Sequence, residues 1–170
     1  MAKDAVHAML GHLLDAFLLS AVPLATDSER QRNSNPRKLY PADPGLIKAF
    51  DTSGRTNVGR ALETVVLNEL ERRGADVGYV KTDDGLEVDF LVRHATAGEE
   101  LIQVSADPSA PETLSRELRA LAAGGKAHPR AARRLLVLDR DALVRVSVPP
   151  AVRVQPVYEW LLATAGKDNR

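Results

Sequence analysis

Cysteine is absent from the 170-residue sequence, which excludes disulfides, zinc–thiolate centres, iron–sulfur clusters and thiol catalysis. Aromatic residues are scarce, at 4%, so the core has to be built from Leu, Val and Ala, and wide aromatic stacking platforms are not expected. A net charge is also missing. The 23 basic residues balance 23 acidic ones, which excludes a histone-like protein or an acidic tail but leaves room for local patches. No apolar run reaches the roughly 18–20 residues that a bilayer span needs. Met1-Ala2-Lys3-Asp4 does not open a signal peptide. An apolar content of 44% in a chain of one-domain length fits a soluble, cytoplasmic globular domain.

Val6, Met9, Leu10, Leu13, Phe17 and Leu18 recur at helical spacing and predict a helix over residues 4–19. Val22-Pro23-Leu24 and residues 37–40 read as short strands on either side of a polar turn at 26–36. Residues 1–45 thus make an N-terminal helix with a wing-like hairpin: half of a winged-helix unit, or simply a helix packed on the rest of the chain. Residues 46–170 read as an α/β domain. A helical turn at 46–50 is followed by a loop at Ser53-Gly54, and Asn57 caps a helix that runs to Arg73 and stops at Gly74. Strands are expected at 77–81, 86–93 and 101–105, with a tight turn at Asp83-Asp84-Gly85 and a loop at 94–100. Along the second of these strands Leu86, Val88, Phe90 and Val92 face one way, and Glu87, Asp89, Leu91 and Arg93 the other. Ser109-Ala110-Pro111-Glu112 opens a helix that Gly124-Gly125 closes. Residues 135–138 suit an interior strand, and Val144, Val146 and Val148 an outer one. A strand at 152–154 and a helix at 156–165, with Val157, Trp160 and Leu161 on one face, complete the chain. The expected fold class is α/β, a mixed sheet flanked by helices.

Two places carry chemistry. Glu63 lies on the apolar stripe of its helix, because Val66, Leu67 and Leu70 stand at i+3, i+4 and i+7. A carboxylate there is expensive unless it is paired, protonated or bound to a cation. The plainer reading is a boundary residue reaching solvent or Arg60. On the strands, Glu87 and Asp89 share one face, as do Gln103 and Ser105. Together they could hold a hard cation such as Mg²⁺ or Mn²⁺, or form a solvated sheet face. The histidines, His7, His12, His94 and His128, are too scattered for a histidine-metal site.

Charge is distributed unevenly. From Asp83 to Glu112 there are eight acidic residues and one basic, whereas from Thr113 to Arg134 there are six basic and one acidic. Arginine supplies 17 of the 23 cations. An acidic cleft with basic flanks suits DNA, with Arg116, Arg119, Arg130, Arg133 and Arg134 as phosphate contacts. Solvated helix faces in an arginine-rich chain account for the same pattern.

Seven stretches, "AFLLSAVPL", "NPRKLYPADPGL", "NVGRALETVVLNELERRG", "YVKTDDGLEVDFLV", "LIQVSAD", "ETLSRELRALAA" and "QPVYEWLL", succeed one another over most of the chain. In that order they resemble the C-terminal domain, formally of unknown function, that lies after the ATPase module in many bacterial and archaeal AAA-type ATP-binding proteins. That domain looks like a member of the PD-(D/E)xK, restriction-endonuclease-like fold. The resemblance implies that Glu63 is the helical carboxylate and Asp89 the central metal ligand; Glu87, on the same strand face as Asp89, is a further candidate ligand from the strand geometry. The resemblance puts Gln103 where the second strand carboxylate belongs and Ser105 where the lysine belongs. A neutral hydroxyl cannot offset transition-state charge, so Lys81 on the preceding strand is the candidate for a displaced lysine. The resemblance thus implies a nuclease-fold domain, catalytically degenerate, acting in DNA or partner binding. The alternatives are a Mg²⁺-dependent endonuclease using Glu63 and Asp89, or a remnant without selected function. An ATPase module or another protein is the implied partner. The nucleotide-binding loop is missing, since Gly124-Gly125-Lys126-Ala127 has neither the glycine spacing nor the hydroxyl that such a loop requires. The chain is then expected to be a truncated or a stand-alone relative.

Overall fold

The computed structural model describes residues 3–52, 57–94, 98–108, 110–144 and 147–163. It is an α/β fold built on a five-stranded mixed sheet. The strands are β3 (Asp76–Lys81), β4 (Glu87–His94), β5 (Gly98–Ser105), β6 (Ala132–Val137) and β7 (Arg153–Pro156), adjacent in that order. β3, β4 and β5 pair antiparallel; β5, β6 and β7 pair parallel. Helices α4 (Val58–Arg72) and α7 (Val157–Leu162) cover one face. There Val66, Leu67 and Leu70 of α4 and Val157 and Trp160 of α7 pack on Phe90, Val92, Ile102 and Leu136. Helix α5 (Pro111–Ala127) covers the other, setting Ala120 and Leu121 on Val88, Leu91, Leu101 and Leu135. Among the described residues no helix is long and apolar enough to cross a membrane.

The N-terminal hairpin belongs to this core. β1 (Leu19–Val22) and β2 (Lys38–Pro41) pair antiparallel, and their inward residues Val22 and Tyr40 join the apolar layer beneath α4. Beyond β1 the chain runs along the free edge of β3: Tyr79 N–H donates to the Pro23 carbonyl and Ala25 N–H to the Tyr79 carbonyl. Such coverage protects an edge strand from pairing with another chain.

Several expectations are corrected. Helix α1 covers Lys3–Asp15 rather than reaching residue 19, because Phe17 adopts a left-handed φ of 56° and turns the chain into β1. The supposed polar turn at 26–36 contains α2 (Glu29–Ser34), whose cap Ser28 accepts from Gln31 N–H. Asn57 precedes α4 without capping it through its side chain, which bonds Asp51 instead. Most of the 94–100 loop is ladder, His94 pairing with Gly98.

Helix α5 does not stop at Gly124-Gly125. A Cβ at Gly124 would lie 2.9 Å from Val88 Cγ2, and one at Gly125 2.2 Å from Arg133 Nε. The glycines therefore let the helix press onto its neighbours instead of ending it. Val144 ends α6 (Arg140–Val144) rather than opening an outer strand, and Val146 of that expected strand lies outside the described residues; the helix is capped by Asp139, whose carboxylate accepts from Ala142 N–H. One helical turn, α3 (Pro44–Phe50), forms where expected. Ser53-Gly54 and Ser109 lie outside the described residues.

Candidate functional site

Regular alternation fails in β4 at one point, and the site is built there. Gly78 pairs with Leu91, whereas Val80 pairs with Val88, so β4 carries one residue more than β3 between those pairs. This β-bulge puts Val88 on the α5 side of the sheet although Phe90 and Val92 face α4, which corrects the expected common face. Bulges re-aim side chains in this way. On the opposite side of β4, the backbone pairing with β5 is taken over by side chains around Asp89. Asp89 N–H donates to Gln103 Oε1 at 3.2 Å, and Val104 N–H donates to Asp89 Oδ2 at 3.0 Å. The carboxylate is thereby fixed in a seam of the sheet, only 8% exposed.

Further elements converge on it. Lys38 of β2 donates from Nζ to Asp89 Oδ1 at 3.3 Å and lies equally close to Glu87 Oε2. Its ammonium sits 5.4 Å from the centre of the Tyr79 ring. Tyr40, two residues along β2, donates its hydroxyl to Glu63 Oε2 of α4 at 3.2 Å. From α5, Glu117 accepts from Gln103 Nε2 and is also bonded by Arg116 Nη2 at 2.7 Å.

A cleft of about 470 Å³ brings together Glu63, Glu87, Asp89, Gln103 and Ser105 of the expected set, with Lys38, Arg116 and Glu117. A second cleft, of about 560 Å³, opens on the other side of Lys38, Glu63 and Asp89, which line both.

The electrostatics stem from burial. Desolvation, reinforced by the neighbouring Glu63, raises the Asp89 carboxyl to about 7 against the pull of Lys38 and the Val104 N–H. Glu63 is also raised, chiefly by burial, although Lys38, Tyr40 and Arg60 oppose the shift. Burial works against the Lys38 charge, yet Asp89, Glu87 and Glu63 outweigh it and hold its pKa above the usual value. The Tyr40 hydroxyl is raised by burial and by Glu63 and stays a donor.

Several assignments change. Lys81 is exposed, pairs in register with Glu87 and lines neither cleft; the lysine at the site is Lys38. Both ends of the Gln103 amide are committed within the protein, to Asp89 and to Glu117, so its role is to hold Asp89 rather than to bind a cation. Ser105 is buried at the cleft wall. Of the five arginines, only Arg116 borders this cleft. Arg119 lies against Leu118 and Ala122 on the outer face of α5, and Arg130 is exposed after α5, near Glu99. Arg133 packs on Gly125 at the far end of the sheet. Arg134 is 4% exposed and ion-paired to Glu100 at 2.8 Å, which withdraws it from phosphate binding.

Among the described residues no three His, Cys, Asp or Glu side chains are grouped so as to hold a metal ion. Of the four expected ligands, Gln103 is taken up by Asp89 and Glu117, and the carboxylates of Glu63, Glu87 and Asp89 line the cleft without forming such a group. As all-oxygen donors they fit a hard cation that takes its other ligands from water and phosphate.

Three of the site residues, Lys38, Tyr40 and Glu117, lie outside the expected set, although the sequence holds a signal for each. Lys38 and Tyr40 stand two apart in a strand, hence on one face. Glu117 has Ala120, Leu121 and Gly124 at i+3, i+4 and i+7, the same pattern that singles out Glu63. No family model, curated protein or solved structure matches the chain.

Proposed function

We propose that this chain is a restriction-endonuclease-like domain whose site hydrolyses phosphodiester bonds with the help of a divalent cation, Lys38 taking the part of the lysine missing at Ser105. The approach of Lys38 Nζ to Asp89 carries the reading. The sheet order, the acid-bearing bulged strand and the glutamate on the covering helix support the fold assignment. Glu63 and Asp89 would hold Mg²⁺ or Mn²⁺, which when bound polarises a phosphoryl oxygen and acidifies a water. The protein supplies the rest. Lys38 offers a fixed ammonium for charge developing on the phosphoryl group. Gln103 and Glu117 keep Asp89 in the seam, and Tyr40 orients Glu63.

Nicking of supercoiled plasmid in Mg²⁺ or Mn²⁺ tests it. Asp89→Ala should abolish cleavage, and Lys38→Met should slow it about 100-fold or more, the usual contribution of a positioned charge or proton donor. Metal-dependent cleavage indifferent to both substitutions removes the assignment.

A second reading is favoured by the commitment of Gln103 to Glu117 and of Lys38 to two carboxylates. On it, the domain is catalytically silent and binds DNA or a protein partner, such as an ATPase module. A folded protein that binds DNA but never nicks it would establish this reading over the first.

A further inference from the structure

The two clefts that meet at Lys38, Glu63 and Asp89 differ in charge. The first is lined by five acidic side chains against Lys38 and Arg116. The second is lined by three cations, Arg37, Lys38 and Arg60, against the shared Glu63 and Asp89. Arg37 and Arg60 are exposed on opposite walls, one beside β2 and one from α4. Among the described residues Arg37 makes no ion pair, and Arg60 acts on Glu63 through space without a direct salt bridge. Leu39, Pro41 and Ile47 line the same cleft, together with Tyr40 and Thr64. Two guanidinium groups in a cleft of mixed polar and apolar lining suit a sugar-phosphate unit: the cations take the phosphate and the remaining lining takes the sugar.

We infer that the second cleft is a subsite for a nucleic-acid strand, in which Arg37 and Arg60 bind the phosphate next to the one presented to Asp89. This rests on the phosphodiester reading of the first cleft and adds the part of the substrate beyond the reacting bond. The strand thus crosses over Lys38, and the β1–β2 hairpin is a wall of the binding groove.

The probe is a fluorescent single strand of twelve thymidines, titrated in EDTA so that cleavage does not enter. Two contacts on a single strand account for a slope of about −1.4 in log K against log[salt]. Arg37→Gln with Arg60→Gln should flatten the dependence by about that amount, whereas Arg119→Gln with Arg130→Gln, both away from the clefts, should not. An unchanged slope, an equal loss in the control pair, or no binding by the native protein overturns the inference. Competition by inorganic phosphate as effective as by the oligonucleotide assigns the cleft to a free anion and overturns it too. The two proposals fail separately. Arginine-dependent binding without plasmid nicking sinks hydrolysis alone, while nicking with an unchanged slope sinks the subsite alone.

Discussion

Lys38 Nζ and Asp89 Oδ1 meet at 3.3 Å although 51 residues separate them in the chain. The lysine comes from a hairpin and the aspartate from a bulge in the central sheet, so neither position has meaning for chemistry until the hairpin is folded against α4. The pair also links the acidic cleft to the basic one, since both residues line each. Burial is the main reason that Asp89 and Glu63 hold their protons more tightly than free carboxyls, and Lys38 opposes both shifts without cancelling them.

Stability should therefore fall as the pH rises from about 4 to 8. A carboxyl raised from 3.8 to about 7 binds its proton more tightly in the folded chain than in the unfolded one. It supports folding below the unfolded pKa and loses that support as the pH climbs through the folded one. The loss should amount to roughly 2–4 kcal/mol over that range. Glu69, held down at about 2 chiefly by its hydrogen bond to Arg72, has the opposite slope, but only below its ordinary value of 4.5. Asp89→Asn keeps an acceptor for Val104 N–H and removes the charge. Urea titrations should show the variant equal to the native protein near pH 4, more stable at pH 8, and with a flatter profile between. A profile as steep as the native one places the titration elsewhere.

Gln103 and Glu117 form a matched donor and acceptor that no single substitution preserves. Gln103→Glu removes the donor and sets a third carboxylate beside Glu117 and Asp89, at an expected cost of about 2–4 kcal/mol. Adding Glu117→Gln restores one donor facing one acceptor. A double-mutant cycle by chemical denaturation should return a favourable coupling of at least about 1 kcal/mol. Additive losses would mean that the two side chains do not act as a pair. The same double variant places a carboxylate where Gln103 now stands, and its Mn²⁺ affinity should exceed that of the native chain.

Phe17 ends α1 in a left-handed conformation that glycine normally fills. Leu18 N–H donates to the Leu13 carbonyl and Phe17 N–H to that of Leu14, the paired bonds of a Schellman motif. Its side chain is 84% exposed, so little packing is lost on removing it. Phe17→Gly should raise stability by about 0.5–1 kcal/mol, the relief of φ strain exceeding the added freedom of the unfolded glycine. A thermal melt with an unchanged or lower midpoint contradicts this.

The sequence carries the periodic features well. The apolar stripe of α4 is visible as a pattern because each residue's burial depends on its own element. It misleads where packing overrules local preference. Gly124-Gly125 reads as a stop, yet α5 passes through because Val88 and Arg133 occupy the space that side chains would need. Val88 reads as a partner of Phe90, yet the bulge reverses it. Glu63, Asp89, Gln103 and Ser105 are recognisable and do line one cleft, because helical and strand periodicity assign each to a face. Lys38 is not, because its partners lie 49 and 51 residues away and only the docking of the hairpin joins them.

The penalty for losing Lys38 should itself depend on pH. Its ammonium faces Asp89, Glu87 and Glu63, and without it the first two lose the ion pair that ties them to the hairpin. Uncompensated buried charge costs roughly 3–5 kcal/mol in comparable pairs. Near pH 4 Asp89 and Glu63 are largely protonated and the charge to be compensated has gone. Lys38→Met, which keeps most of the side-chain length, should therefore cost several-fold more at pH 8 than at pH 4 by urea denaturation. Adding Asp89→Asn should recover most of the loss at pH 8, because a neutral pair then replaces a broken ionic one. An equal loss at both pH values, unrelieved by Asp89→Asn, would show that Lys38 acts by packing its aliphatic stem on Tyr79 and not by its charge.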